Sequence, residues 1–251
     1  MKNLSLPIFV SCVFGLVIVP AAAAQGSVSA TRVRTLTAEQ EEILSHMSIV
    51  YLDDGVGGAV KTIRLTGANW QIVDGSGTTD GAPTGVGNLI VGYNELRGTG
   101  DDRTGSHNMV GGKEQSYTRF GGLVVGRRNA ITGNGATVSG GRDSTASGDY
   151  SSVSGGAFNT ASGSRSSISG GYGNTASSSD SSVSGGHYNT ASRSFASVSG
   201  GFDNTASGYW SSVSGGYSNS ASGSHFSISG GAFRSVSGSR DWAAGSLFEN
   251  Y

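Results

Sequence analysis

Seven charged side chains between residues 89 and 130 are the densest group of potential acid and base catalysts in the sequence. They are Asp101, Asp102, Arg103, Lys113, Glu114, Arg127 and Arg128. Carboxylates flanked by cations are the residue types with which enzymes cleave glycosidic bonds. Asp101 and Asp102 are adjacent, however, so they point to opposite sides of an extended chain and make a poor acid/base pair. We interpret the group as an ordinary charged surface and keep a polysaccharide-acting enzyme as an alternative.

Other chemical signatures are absent from the sequence or weak. Asp53 and Asp54 precede Gly55, which predicts a turn, with calcium binding as the alternative. The histidines lack metal-ligand spacing, and neither a phosphate-binding loop nor a dinucleotide-binding glycine motif occurs. We therefore predict no catalytic residue, no cofactor and no metal. Lys and Arg number 16 against 17 for Asp and Glu, so nucleic acid is not an expected partner.

A repeat organises most of the chain. The phrase Val-Ser-Gly-Gly-x-x-Asn-Thr-Ala-Ser-Gly begins at Val153 and recurs with a period of 15 residues. Its copies start at Ile168, Val183, Val198, Val213 and Ile228, with looser copies at Leu89, Asn108, Leu123 and Val138. Gly accounts for 43 of 251 residues, which by itself is typical of a flexible linker. A linker has no need of Val or Ile at a fixed period, so the repeat predicts a solenoid.

Alternation within one repeat predicts two short strands. Val153 and Ala161 are flanked by Ser or Thr, so the apolar residue of each strand faces inward and the hydroxyls face outward. Gly156 and Gly163 are expected to form corners with positive φ. Asn159 begins a column of asparagines that predicts a buried ladder of amides bonded to one another. The spacing fits a flattened β-roll or a three-sided β-helix. The predicted core columns are Val153, Ile168, Val183, Val198, Val213 and Ile228 opposite Ala161, Ala176, Ala191, Ala206 and Ala221.

The predicted fold is therefore an all-β, single-stranded parallel β-solenoid with 15-residue coils, and left-handed winding is the expected hand. Its predicted divisions are a signal peptide at 1–24, an N-terminal capping region at 25–87, solenoid repeats at 88–240 and a C-terminal cap at 241–251. The signal consists of a basic start, an apolar stretch and an alanine cleavage site. It contains Cys12, so the mature chain is expected to be secreted, without disulfides and without a transmembrane segment.

The N-terminal region is more charged than the repeats and lacks their period. Thr37 and Gln40 have capping-box spacing, which predicts a helix over 38–47 with an apolar stripe at Ile43, Leu44 and Met47. Strands are predicted at 49–52, 62–65 and 70–73, with Ile63 and Leu65 facing inward. Such elements, together with Trp242, Leu247 and Phe248 at the other end, are expected to cover the open ends of the solenoid.

The repeat resembles the YadA-like head of trimeric autotransporter adhesins. The matching residues are the Ser152–Gly156 stretch and the Asn159–Gly163 stretch of each coil. The resemblance covers the repeat region only, with a slightly longer period here and without the family's stalk or membrane anchor. It implies a left-handed parallel β-roll, a homotrimer and an adhesive role.

The favoured function is a secreted or cell-surface structural or adhesive repeat protein that binds surfaces, glycans or its own copies, with the periplasm as an alternative location. The candidate binding surface consists of the aromatic residues Phe195, Tyr209, Trp210, Tyr172 and Tyr188, of which the first three are the preferred anchor. One alternative is ice binding, because a Thr-x-Ser face is similar to the hydroxyl arrays of insect antifreeze solenoids. That face comprises Thr160, Ser162, Thr175, Ser177, Thr190, Ser192, Thr205 and Ser207.

Overall fold

The computed structural model describes residues 36–244, which belong to two units divided between Asn69 and Trp70. The predicted signal peptide with Cys12, and the predicted cap residues Leu247 and Phe248, lie outside the described residues. Within 36–244, no helix has the length and apolar character needed to cross a bilayer. The capping roles expected for 25–87 and 241–251 remain predictions.

The first unit begins with helix α1 (Ala38–Ser45), whose capping box is confirmed. The Thr37 hydroxyl accepts a hydrogen bond from the Gln40 amide at 3.2 Å, and the Gln40 side chain accepts one from the Thr37 amide at 3.0 Å. The helix ends two residues earlier than expected, where the His46 amide donates to the Ile43 carbonyl and closes the last turn. None of its residues is buried, so the predicted apolar stripe does not pack against a core in this unit.

A hairpin completes the first unit. Strands β1 (Met47–Asp53) and β2 (Ala59–Leu65) pair antiparallel, with Ile49 opposite Ile63. The turn between them is confirmed, and the Asp54 carboxylate accepts hydrogen bonds from the Val56 and Gly58 amides, which lower its pKa. The prediction that Ile63 faces inward is wrong, because this side chain is 69% exposed. A two-stranded hairpin has no further layer of its own to cover such a face.

The second unit is the solenoid. Its strands are β3 (Leu89–Val91), β4 (Met109–Lys113), β5 (Ser116–Tyr117), β6 (Leu123–Arg127), β7 (Ala130–Ile131), β8 (Thr137–Val138), β9 (Thr145–Ala146), β10 (Ser152–Val153), β11 (Thr160–Ala161), β12 (Ser167–Ile168), β13 (Thr175–Ala176), β14 (Ser182–Val183), β15 (Thr190–Ala191), β16 (Ser197–Val198), β17 (Thr205–Ala206), β18 (Ser212–Val213), β19 (Ser220–Ala221), β20 (Ser227–Ile228), β21 (Ser235–Val236) and β22 (Trp242–Ala243). The strand predicted at 70–73 is wrong, since that segment forms no ladder and the solenoid sheets begin at Leu89.

The strands form two parallel sheets. The first sheet contains β3 and the even-numbered strands from β4 to β22, and the second contains the odd-numbered strands from β5 to β21. Each strand pairs with its equivalent in the next coil, as Val153 does with Ile168. This arrangement confirms the solenoid and decides for a flattened roll over a three-sided helix. Ile228 also pairs with Ala243, so the parallel pairing continues one coil beyond the last copy of the repeat in the sequence.

Both predicted core columns are confirmed. Val153 and Ala161 are fully buried, as are their equivalents in the neighbouring coils, and all of them belong to one continuous core cluster. Sequence reasoning missed a third buried column at the residue before each strand of the first sheet. That column consists of Ala136, Ser151, Ser166, Ser181, Ala196, Ser211 and Phe226.

The asparagine column is buried as predicted, but its bonding differs. The Asn159 side-chain oxygen accepts from the backbone amide of Asn174 at 2.9 Å. Its side-chain nitrogen donates to the Gly155 carbonyl at 2.9 Å and to the Gly171 carbonyl of the next coil at 3.1 Å. The ladder therefore joins side chains mainly to backbone, and the predicted bond between side-chain amides is seen from Asn219 to Asn204 at 3.1 Å. Each asparagine bonds its own corner to the following coil.

The corners correct one prediction about glycine. Gly156 has φ of +79°, as expected, but Gly163 does not have a positive φ. Gly163 is required for a different reason, because a Cβ there would overlap the Ser178 carbonyl of the next coil. The left-handed conformation falls instead on Phe158 and Arg165, with φ of 57° and 55°.

These left-handed residues reverse the direction of a backbone hydrogen bond. The Phe158 and Arg165 amides donate to the preceding coil, at Arg142 and Asp149, whereas strand amides such as that of Thr160 donate to the following coil. A non-glycine residue in this conformation costs roughly 1–2 kcal/mol. Since the same geometry recurs in coil after coil, the bond to the preceding coil must offset that cost.

The inside and outside of one strand can be compared by placing the same charge on each. Val183→Asp is expected to lower the free energy of unfolding by at least about 3 kcal/mol, because the narrow core offers the carboxylate no partner. Ser184→Asp, one residue away on the exposed face, is expected to change it by less than about 0.5 kcal/mol. Urea denaturation followed by circular dichroism measures both. Equal midpoints would contradict the assignment of the faces.

The asparagine ladder can be tested with a control that the chain itself supplies. Asn189→Ala leaves the Asn204 amide and the Gly185 carbonyl without their partner and removes one of the two hydrogen bonds to the Gly201 carbonyl, which is expected to cost about 2–4 kcal/mol. Ser144 occupies the same column and still accepts from the Asn159 amide at 3.2 Å. Asn189→Ser should therefore lose clearly less stability than Asn189→Ala. Indistinguishable unfolding energies for the two variants would refute the role of the side-chain oxygen.

Candidate binding edges of the solenoid

Each coil has two corners, and stacking places them along two edges of the roll. We call the edge that follows each Gly-Gly pair the Gly-Gly edge; its outermost residues in one coil are Ala157 and Phe158. We call the other the Ser-Gly edge; its outermost residues in the same coil are Ser164 and Arg165. In the coils after Asn108, both outermost residues of each corner, the left-handed one and the one before it, are exposed or half-buried, so these two positions determine what the edges present.

A connected line of aromatic rings runs along the Gly-Gly edge. Its members are Phe158, Tyr172, His187, Tyr188, Phe202, Tyr217 and Phe233. The Phe202 and Tyr217 rings stack in parallel with centroids 5.3 Å apart, and Tyr188 meets Phe202 edge-on at 5.8 Å. Half of the Tyr188 side chain is exposed to solvent. The aromatic surface of this edge therefore combines stacked and edge-on rings that are partly exposed to solvent.

One glycine makes room within this line. Gly173 occupies the left-handed position of its coil, and a Cβ there would lie 2.8 Å from two ring carbons of Tyr188. The Tyr188 ring therefore lies over the backbone of the preceding coil. Beside it, the same ring packs edge-on against Tyr172 at 5.5 Å.

The Ser-Gly edge carries a shorter stack. Phe195 and Trp210 lie face to face with centroids 3.9 Å apart and an interplanar angle of 4°, and His225 continues the stack 6.3 Å from Trp210. Tyr209 stands apart from these rings, with the Arg193 guanidinium 5.5 Å from its centroid. In neighbouring coils the edge is charged, since Arg165 donates twice to Asp180 at 2.8 Å and lowers the pKa of that carboxyl.

The five predicted aromatic residues are therefore divided between the two edges. Tyr172 and Tyr188 lie on the Gly-Gly edge, and Phe195, Tyr209 and Trp210 lie on the Ser-Gly edge. The face-to-face contact of Phe195 with Trp210 covers one face of each ring. The predicted five-residue surface did not include Phe158, His187, Phe202, Tyr217 and Phe233, although each occupies one of the outermost corner positions of its coil.

The predicted hydroxyl face forms in register on the second sheet. Thr160 pairs with Thr175, Thr175 with Thr190 and Thr190 with Thr205, each at the outward position of its strand. The serines two residues further on complete the array, at Ser162, Ser177, Ser192 and Ser207. The threonines are half-buried between their neighbours, and the eight residues of the array are all uncharged hydroxyl residues.

The charged group found in the sequence is divided among several contacts. Arg128 lies between Glu114 at 3.5 Å and Asp143 at 2.9 Å, and the latter contact raises the pKa of the guanidinium. Arg103 lies 3.1 Å from Asp101 without hydrogen-bond orientation, so that contact is ionic. The Asp102 carboxylate accepts from the Thr104 amide and hydroxyl. The carboxylates of Asp101, Asp102, Glu114 and Asp143 thus all contact neighbouring side chains or backbone, which is typical of charged residues with a structural role.

A small polar cavity that sequence reasoning missed lies beside residues 70–88. It measures about 330 Å³ and is lined by Val73, Asp74, Thr78 and His107, among others. The Ser76 hydroxyl and amide, and then the Thr84 hydroxyl, donate to the Asp74 carboxylate and lower its pKa to about 2. His107 lies 3.6 Å from the same carboxylate. Among residues 36–244, no group of three potential ligands has the arrangement to hold a metal ion.

The fold and its edges define a parallel β-solenoid with variable corners on a constant frame. No protein-family model matches the chain, and comparison with curated proteins yields no match. The similarity to adhesin heads thus rests on the repeat residues themselves.

Proposed function

We propose that the protein is a secreted adhesive repeat protein and that its Gly-Gly edge binds a carbohydrate polymer. The observation that carries this proposal is the connected line of aromatic rings on that edge, from Phe158 to Phe233. Coils of a parallel sheet stand about 4.8 Å apart, so the line extends roughly 24 Å over five steps. A surface of that length fits a ligand that is itself extended and repetitive.

The rings are not required by the fold. The left-handed position, which holds Phe158, Tyr188 and Phe233, is occupied in other coils by Arg128, Asp143, Gly173, Asp203 or Ser218. The position before it, which holds the other four rings, is occupied elsewhere by Arg127, Arg142, Ala157 or Ala232. A position that accepts charge, glycine and hydroxyl gains nothing structural from a ring. Exposed apolar area that the fold does not need is the usual mark of a binding surface.

The chemistry of the edge favours a neutral, amphipathic ligand. Tyrosine presents an apolar ring and a hydroxyl, and sugar rings likewise combine apolar faces with hydroxyl groups. Around the line, Arg142 lies over the Phe158 ring at 5.1 Å, and Asp203 accepts from the Ser218 hydroxyl. With so few and opposite charges, the edge lacks the positive field that binding of nucleic acid requires.

The two edges provide matched variants for a binding test. Tyr188→Ser, Phe202→Ser and Tyr217→Ser combined are expected to weaken binding to insoluble and soluble polysaccharides at least tenfold, because the centre of the ring line is lost. The control is Phe195→Ser with Trp210→Ser, which removes the stack on the Ser-Gly edge. Affinity electrophoresis and pull-down measure binding, and thermal melting verifies that both variants fold.

The two sets of variants separate the possible anchors. Loss of binding in the control alone would move the site to the Ser-Gly edge, where sequence reasoning placed it. Unchanged binding in both, or no binding of any polysaccharide by the wild type, would contradict the proposal.

Ice binding is a second candidate, supported by the in-register hydroxyl array of the second sheet. Regular rows of Thr and Ser at fixed spacing suit a regular target, and the face from Thr160 to Ser207 is free of charged side chains. We expect Thr190→Lys to abolish thermal hysteresis, because the long cation breaks the flat row. Ser182→Lys on the first sheet is the matched control and should leave hysteresis unchanged. A wild-type protein without thermal hysteresis would refute this candidate.

A further inference from the structure

We infer that the first coils of the Gly-Gly edge bind the acidic groups of a polysaccharide. This deepens the function proposed for that edge, and rests on it for the class of polymer. The neutral character of the edge belongs to the coils from Phe158 to Phe233. The coils before Phe158 place a basic residue at the same corner position in three successive turns. We call these residues, Lys113, Arg127 and Arg142, the cation column.

The cation column and the line of rings belong to one continuous edge. Lys113 pairs with Arg127, and Arg127 pairs with Arg142, in parallel register. The same column continues through Ala157 to four of the rings, Tyr172, His187, Phe202 and Tyr217. The Arg142 guanidinium lies 5.1 Å from the centre of the Phe158 ring, so the cations and the rings meet directly. A ligand that extends along the rings therefore reaches the cations by continuing along the edge.

The fold does not require cations at this position. Ala157 and Ala232 occupy it in other coils and pair with the neighbouring coil in the same way. Like charges directly opposite one another on adjacent strands are destabilising, and adjacent coils stand only about 4.8 Å apart. The stacked cations therefore cost the free chain stability. An anionic ligand that binds between them removes this repulsion.

Carboxylates of the edge neutralise only part of the positive charge. Glu114 and Asp143 lie on either side of Arg128, which donates a hydrogen bond to Asp143 at 2.9 Å. The first and last residues of the cation column each lie 3.6 Å from one of these carboxylates, a distance too long for a hydrogen bond. Within residues 36–244, the Arg127 guanidinium has neither an ion pair nor a hydrogen bond. Four cations of the edge thus share two carboxylates.

The cation column is open to solvent. The side chains of Lys113 and Arg142 are 54% and 57% exposed, and Arg127 is exposed as well. The planar fork of guanidinium donors matches the paired oxygens of an oxyanion. Acidic polysaccharides carry such groups along an extended chain, as carboxylates or as sulfate esters. Three cations over two coil steps, about 10 Å, therefore suit neighbouring acidic groups of one polymer.

The surroundings favour an acidic polysaccharide over nucleic acid. The cation column is one residue wide, and Glu114 and Asp143 lie beside it. Binding to a phosphate backbone depends on a broad positive field, whereas the whole chain has 16 basic and 17 acidic residues. A local row of cations next to rings that stack on sugars instead fits a polymer with scattered acidic groups.

Matched variants separate the cation column from the charge of the chain as a whole. The column variant places in all three positions the alanine found there in other coils, through Lys113→Ala, Arg127→Ala and Arg142→Ala. The control variant removes the same charge from the Ser-Gly edge, through Arg165→Ala, Arg193→Ala and Arg240→Ala. Thermal melting verifies that both variants fold.

Three polymers serve as probes in affinity electrophoresis. They are polygalacturonate, which carries carboxylates, dextran sulfate, which carries sulfate esters, and a neutral polysaccharide that the wild type binds. The column variant is expected to bind acidic polymer about tenfold more weakly than the wild type, because three exposed ion pairs are lost. Its affinity for the neutral polymer should be unchanged, and the control variant should match the wild type throughout. Added salt should weaken acidic binding by the wild type far more than by the column variant.

The acidic polymer that the wild type binds more tightly identifies the recognised group as carboxylate or sulfate. Equal affinities of the column and control variants for both acidic polymers would overturn the inference, as would a wild type that binds neither. Single-stranded DNA that binds as tightly, with the same loss in the column variant, would also overturn it, since the site would then accept any polyanion. Failure of the proposed function has a different signature: the wild type would bind no neutral polymer, while the column variant would still lose acidic binding.

Discussion

A buried asparagine, present in most coils, makes the interaction on which the solenoid depends. The Asn174 backbone amide donates to the Asn159 side chain of the preceding coil, and the Asn174 side chain donates to carbonyls at Gly170 and, in the next coil, Gly186. Three consecutive coils are thereby joined through one residue. This bond does not fix the coil length alone, because the Asn129 amide donates to the Gln115 side-chain oxygen at 3.0 Å although these residues are 14 apart rather than 15.

The interior is too narrow for the core alone to define the structure. Each coil from β8 to β20 contributes one Val or Ile and, on the second sheet, one Ala with small polar residues as its usual neighbours. Backbone approaches backbone so closely at Gly163 that any side chain there would meet the next coil. Phe226 shows where space exists, since it fills a column otherwise held by Ser and Ala, and Tyr117 and Ile131 fill the alanine column in the early coils. From Ala146 to Ala221 the alanine column is uniform, and most large residues of these coils lie at the edges.

Sequence reasoning recovered what depends on alternation and period, and missed what depends on contact between coils. Val153 and Ala161 were assigned inward because a strand alternates, and the capping box at Thr37 was assigned by local spacing. The left-handed conformation was assigned to Gly163, although it belongs to Arg165. The Arg165 amide donates to the preceding coil, and the sequence of a single repeat does not indicate such a bond. The aromatic line was only partly found for the same reason. Its rings meet across coils, and Phe158 has no aromatic neighbour within its own repeat.

Bonding between a coil and its immediate neighbours has a consequence for the gene. An in-frame duplication of one repeat inserts a coil that finds the same partners above and below, and a deletion closes the gap equally well. Replication slippage in such a tandem sequence therefore changes the length of the protein without unfolding it. Each such event would also add or remove one set of corner residues, and so change the length and content of both edges while the frame stays the same.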